Sequence, residues 1–233
     1  MLSIQYAYIV LGLLLLVVWL LLFLTRKDTR REMIIISIAF GIAGLLAEFA
    51  YLKDWWQPLT ITGTPLGIED FLFGFTIGGI ASVIYEVIFK KRLSKEKSFR
   101  LITREHLIDT SIILLLPIIF FGGTIFLGLN TFQASIIGYG LPILIMYFKR
   151  KDLIVDSLIS GISLLLIIFI IYAVLNLITP GWIMHFWTFK NVPPIVFLNV
   201  PIDDLVWYLF TGAFIGIMYE FLHDSPLFRL RRN

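Results

Sequence analysis

The stretch Gly67-Ile68-Glu69-Asp70-Phe71-Leu72-Phe73-Gly74 opens a run with no further charge until Tyr85-Glu86. A hydrocarbon core of about 30 Å needs about 20 apolar residues per helix, so Ile68–Phe89 reads as a membrane span with charge only at its ends. Six more stretches qualify: Ile4–Leu24, Met33–Leu52, Leu107–Leu127, Phe132–Phe148, Leu153–Ile178 and Ile202–Leu222. The N-terminal one has neither a basic leader nor a small-residue cleavage site and reads as a retained span. Composition agrees. Of 233 residues 59% are apolar and 15% charged, with a mean hydropathy of +0.92, whereas a soluble domain averages about 25% charged. The expected fold is all-α, a polytopic membrane protein of seven helices.

The opening stretch recurs. A shift of 134 residues lays Gly67-Ile68-Glu69-Asp70 on Pro201-Ile202-Asp203-Asp204, Gly78 on Gly212, and Tyr85-Glu86 on Tyr219-Glu220. Upstream, Trp55-Trp56-Gln57-Pro58 roughly matches Phe186-Trp187-Thr188-Phe189. One membrane domain over residues 1–233 is therefore expected to contain repeat one (about 1–90), a linker helix (about 107–127) and repeat two (about 132–233). This is a parallel 3+1+3 repeat with a site near the repeat interface. Gly74, Gly78 and Ser82, like Gly212 and Gly216, recur every fourth residue and would let spans three and seven approach closely. Pro117 and Pro142 have no counterpart in the other half and read as local kinks.

Charge sets the topology. Arg26, Lys27, Arg30 and Arg31 follow span one, and seven Lys/Arg from Lys90 to Arg104 follow span three. Lys149, Arg150 and Lys151 follow span five, and Arg229, Arg231 and Arg232 follow span seven, so 17 of 19 basic residues lie on one side. The positive-inside rule places the N-terminus outside and the C-terminus in the cytoplasm of a cell-membrane protein. The basic pI follows from topology and needs no nucleic-acid partner. The lipid bilayer is the partner it implies.

Ionisable groups within spans are costly and are functional candidates by default. Glu69, Asp70, Asp203 and Asp204 begin spans three and seven, and adjacent carboxyls in low dielectric do not readily both ionise. A protonated member could serve as a general acid and an ionised one as a base. The bland reading is helix capping and favourable dipole contact; its duplication in both halves favours chemistry. Glu48, late in span two with only Lys53 nearby, joins the candidate site. Glu86, with Lys90 four residues on, and Glu220, near His223, read as interfacial anchors. Five of six tryptophans, Trp55, Trp56, Trp182, Trp187 and Trp207, sit on the carboxylate side. An interfacial belt explains most of that, but aromatic faces also stabilise cations. His185 reads as a surface residue or a proton relay.

Other chemistries lack their residues. No cysteine means no disulfide, thiolate site or cysteine nucleophile, and three histidines leave little for zinc. No G-x-G-x-x-G, G-x-S-x-G or H-E-x-x-H motif occurs, and span seven has no lysine for a Schiff base. Neither a cofactor nor a metal is expected.

The chain resembles the integral-membrane lycopene cyclase domain family in its fused, two-repeat form. That family's hallmark is an aromatic W-x-F/Y segment, a short loop, then P-[IL]-E-E and an aromatic-rich helix. Here the second half reads Trp187-Thr188-Phe189, then Pro201-Ile202-Asp203-Asp204-Leu205-Val206-Trp207-Tyr208. The first reads Trp55-Trp56, then Gly67-Ile68-Glu69-Asp70-Phe71-Leu72-Phe73. Gly67 replaces the motif proline and Asp203 the first glutamate. The resemblance implies a redox-neutral cyclisation of acyclic carotenoid ends to ionone rings, an isomerase (intramolecular lyase) reaction of carotenoid biosynthesis. An acid protonates the terminal alkene, the next double bond attacks the tertiary cation, and a base removes a proton.

On this reading Glu69, Asp70, Asp203, Asp204 and Glu48 are catalytic, and Trp55, Trp56, Phe73, Trp187, Phe189 and Trp207 bind lycopene or a related apolar polyene. A second copy of the chain, or enzymes of the same pathway, are the expected protein partners. Two other readings stay open: a small proton-coupled or sugar-type transporter with parallel three-helix repeats, and a non-catalytic carotenoid-binding membrane protein.

Overall fold

A computed structural model describes residues 2–93, 104–190, 192–223 and 227–229. Of the basic residues on which the expected topology rests, Lys95, Lys97, Arg100, Arg231 and Arg232 lie outside the described residues. In chain order the elements are α1 (Ala7–Thr25, entered by a 3-10 turn at Ile4–Tyr6), α2 (Arg30–Asp54), α3 (Ile68–Phe89) and β1 (Lys91–Leu93). Then come α4 (Arg104–Phe126), α5 (Thr131–Lys149), a 3-10 turn at Lys151–Leu153, and α6 (Ile154–Ile178). The short α7 (Trp182–Phe186), β2 (Val196–Phe197), β3 (Val200–Pro201), α8 (Ile202–His223) and β4 (Leu227–Arg229) complete the chain.

Among the described residues all the helices except α7 are long and apolar enough to cross a membrane, seven in all. The protein is all-α and multi-pass. Span limits depart from the expected ones by less than one helical turn. The sequence reading contained neither α7 nor the short strands.

Helices α3 and α8 form the centre. Their span cores are 61% and 67% buried, against 17% for α4, which packs mainly on α5 at the periphery. Helix α2 packs on α3 and α6 on α8, while α1 and α5 flank α3 and α8 respectively. Leu158, Ile162, Leu166 and Ile170 form an exposed stripe along α6 at helical spacing, a face that suits lipid rather than water.

The glycine rows act within each half more than across the centre. A Cβ on Gly74 would stand 2.3 Å from the Phe40 carbonyl of α2, and one on Gly212 would stand 2.9 Å from Gly161 Cα of α6. They hold α3 against α2 and α8 against α6. Of this row, Gly216 is also close to α3, with Ala81 O 3.3 Å from where its Cβ would be.

Short strands tie the ends. Directly after α3, β1 pairs antiparallel with β4, directly after α8. At the opposite end β2 and β3 make a hairpin whose turn, Leu198-Asn199, has positive φ, and β3 leads into α8.

Candidate active site

The first turns of α3 and α8 carry the two acid pairs, and all four side chains are buried. Successive helical residues point about 100° apart, so one member of each pair turns inward and the other away. Asp70 and Asp204 line a cavity of about 370 Å³ in the middle of the bundle, and Glu48 of α2 lines the same cavity. Glu69 and Asp203 do not line it.

The outward members hold structure. Oε1 of Glu69 accepts from the backbone N–H of Ile61 at 2.6 Å, pinning the loop before α3. A Cβ on Gly67 would stand 2.1 Å from Glu69 Oε2 and 2.9 Å from Thr60 Cγ2, so a proline ring at 67 would collide with this arrangement. Asp203 accepts from the Trp55 indole N–H at 2.5 Å, which joins α8 to the segment after α2.

The inward members differ in their donors. Asp70 accepts from the Tyr8 hydroxyl at 2.7 Å through Oδ1 and from the Gly67 backbone N–H at 2.8 Å through Oδ2. The second bond is half of a capping box, so Asp70 both caps α3 and faces the cavity. Asp204 has the Tyr172 hydroxyl as partner, while its Oδ2 has none among the described residues. Glu48 accepts from the Trp56 indole N–H at 3.2 Å, and its Oε1 is likewise without a partner.

Aromatic rings form most of the remaining wall. Trp55, Trp56, Phe73, Trp187 and Trp207 all line the cavity. Phe189 does not; it is half-buried, with a φ of 48°. His185 is exposed on α7. Edge-to-face contacts join Tyr8 to Trp56 at 5.0 Å and Trp207 to Tyr208 at 5.1 Å, presenting ring faces that can stabilise a cation.

Sequence reading missed the tyrosines. Tyr8, Tyr51, Tyr139, Tyr172 and Tyr208 line the cavity, and the hydroxyls of Tyr172 and Tyr208 meet at 3.0 Å. The available signal was that a tyrosine inside an apolar span needs a partner for its hydroxyl.

One side of the cavity is open. Ala39 and Ala43 of α2 and Leu114 and Pro117 of α4 line it and are exposed. This mouth lies on span surfaces between two helices that make little contact, so it faces the hydrocarbon layer rather than an end of the bundle.

At the other end of α3 and α8, Glu86 and Glu220 are buried with Glu32 of α2, their carboxylate oxygens within 4.8 Å of one another. Both had read as interfacial anchors, Glu86 paired with Lys90. Instead Glu86 turns inward, while Lys90 caps α3 in the left-handed conformation and is exposed. Among the described residues this is the group whose spacing would suit a metal ion. The Arg26 guanidinium, which donates to the Glu86 carbonyl at 2.7 Å, already brings positive charge there.

A family model described as lycopene cyclase matches residues 5–88 and 130–222. Those segments contain both acid pairs, Glu48 and all the cavity tyrosines and tryptophans, and together they cover well over half of the chain. No curated protein and no solved structure matches it. The chain belongs to the lycopene cyclase family.

Proposed function

We propose that this protein cyclises the acyclic ends of lycopene or a related carotenoid to ionone rings without redox change, as an isomerase of the intramolecular lyase type. The observation that carries the reading is the cavity: apolar and aromatic, open to lipid, with Asp70, Asp204 and Glu48 as its carboxyl groups among the described residues. A membrane-dissolved polyene end can enter sideways without crossing water. Protonation of its terminal double bond needs a neutral acid in a site that excludes water. The resulting tertiary cation is stabilised by the facing rings of Trp56, Phe73, Trp187 and Trp207. Attack by the next double bond closes the ring, and a carboxylate removes a proton. Glu69 and Asp203 serve as positioning residues for the loop before α3 and for Trp55.

The two halves act as parallel repeats around the cavity, with α4 as the linker between them. The N-terminus lies outside and the C-terminus in the cytoplasm of the cell membrane, because the basic connections all follow the first, third, fifth and seventh spans. Expression in cells that accumulate lycopene, followed by pigment analysis, tests the reading. Ring-bearing carotenoids are expected; unchanged lycopene, with the protein folded in the membrane, would refute it.

A further inference from the structure

Resting on that proposed reaction, we infer that the two halves have divided its proton chemistry: Asp204 is the acid that protonates the alkene and Asp70 the base that completes the ring, and position 201 against position 67 sets the difference.

The argument starts from backbone donors. Residues 67 and 201 correspond under the 134-residue shift, as do Asp70 and Asp204. At 67 the glycine N–H donates to Asp70 at 2.8 Å. Proline at 201 has no N–H to give, and among the described residues Asp204 Oδ2 is left buried without a partner. Hydrogen bonds to a carboxylate favour its charged form, and burial without them favours the neutral one. Two donors, Gly67 and Tyr8, suit Asp70 to remain a carboxylate. Asp204, with Tyr172 as its one side-chain donor among the described residues, keeps a proton on the oxygen left without a partner.

The step balances. The Asp204 O–H bond breaks and its proton forms the new C–H bond at the terminal alkene carbon, leaving a tertiary cation. The π pair of the next double bond closes the ring, Asp70 takes a proton from the ring carbon, and that C–H pair becomes the ring double bond. Asp204 ends as carboxylate and Asp70 as acid. One proton returns between them to reset the site, and the hydroxyls of Tyr8, Tyr208 and Tyr172 lie along the way: Tyr8 bonds Asp70, and Tyr208 meets Tyr172 beside Asp204.

Other titratable groups face these carboxyls. Asp203, Tyr172 and Tyr208 lie around Asp204, and Glu69, Tyr8 and Glu48 around Asp70. Glu48 has one indole donor and is the competing acid. A test that alters one donor to one carboxyl separates them.

In a bell-shaped pH–rate profile the base sets the acid limb and the acid sets the alkaline limb. Pro201→Gly or Pro201→Ala gives Asp204 a backbone donor and should move the alkaline limb down by about one to two pH units, the effect of one hydrogen bond to a charged group. Tyr8→Phe removes a donor from Asp70 and should move the acid limb up by a similar amount. The assay is ring formation from lycopene by membranes holding the full chain, with folding checked by gel filtration in detergent. Opposite limbs moving in these directions supports the assignment. Pro201 variants that move the acid limb, or neither limb as Glu48 acting as acid would give, overturn it while cyclisation itself stands. Wild-type membranes that form no rings overturn the underlying reaction instead.

Discussion

Trp56 and Trp187, half a chain apart, pair their backbones as an antiparallel bridge beside the cavity. The Gln57 N–H donates to the Phe186 carbonyl at 2.7 Å, and the Thr188 N–H donates to the Trp55 carbonyl at 2.9 Å. Under the alignment of the two aromatic segments these bonds exchange with each other, as a two-fold relation between repeats would require. The bridge places both rings, 5.5 Å apart, on the same cavity.

If that bridge holds the halves together, removing one of its donors should cost stability. Thr188→Pro deletes an N–H and should destabilise by about 1–3 kcal/mol. Thr188→Ala keeps the N–H but loses the hydroxyl bonds to the Asp54 and Trp55 carbonyls, costing about 0.5–1.5 kcal/mol. Thermal unfolding in detergent should rank wild type above alanine above proline; equal midpoints would leave the bridge without structural weight.

Helix contact at Gly212 predicts a second ordering. Gly212→Leu must push α8 off α6, since a Cβ alone meets Gly161 Cα at 2.9 Å, and overpacking of this kind costs about 1–3 kcal/mol. Gly122→Ala on α4 meets nothing within 4 Å and should be neutral or slightly stabilising. Folded yield after solubilisation reads both.

The lateral mouth can be closed. Ala43→Trp should fill the gap between α2 and α4 and lower ring formation at least about tenfold, by analogy with the cost of misplacing a substrate. Ile42→Trp, on the lipid face beside it and away from the cavity, should leave the rate unchanged. Equal rates in the two variants would mean that substrate enters elsewhere.

Orientation has its own test. A fluorescent protein fused after Asn233 should fold and glow in the cytoplasm, and a cysteine placed at Gly63 should react with an impermeant thiol reagent applied outside. The reverse pattern would contradict the charge-based topology.

Much of this was legible in the sequence, for physical reasons. Spans such as Ile68–Phe89 announce themselves because bilayer thickness fixes both their length and their lack of charge. The acid pairs stood out because a carboxyl in a span needs a reason to be there. Which member faces the cavity was not legible: Glu69 and Asp70 are adjacent carboxyls about 100° apart around the helix axis, and packing decides which turns inward. Asp70 also unites the capping and cavity readings, which sequence had set against each other. Tyr8 and Tyr172 look like ordinary members of apolar runs until tertiary structure brings their hydroxyls to Asp70 and Asp204. The burial of Glu86 with Glu220 was hidden by Lys90 four residues away, a pairing that local sequence favours and the packing of α3 on α8 overrides.

The central claim is that the carboxyls lining the cavity cyclise a polyene end, and the most direct measurement is pigment composition in lycopene-accumulating cells expressing single amide variants. Asp70→Asn and Asp204→Asn should fold yet form about 10²–10⁴-fold less cyclic product than wild type. Glu69→Gln and Asp203→Asn keep an oxygen to accept from Ile61 and Trp55 and should stay within about tenfold of wild type, a loss of at most about 1.4 kcal/mol. Full cyclisation by both Asp70→Asn and Asp204→Asn would reduce these groups to helix caps and contradict the account.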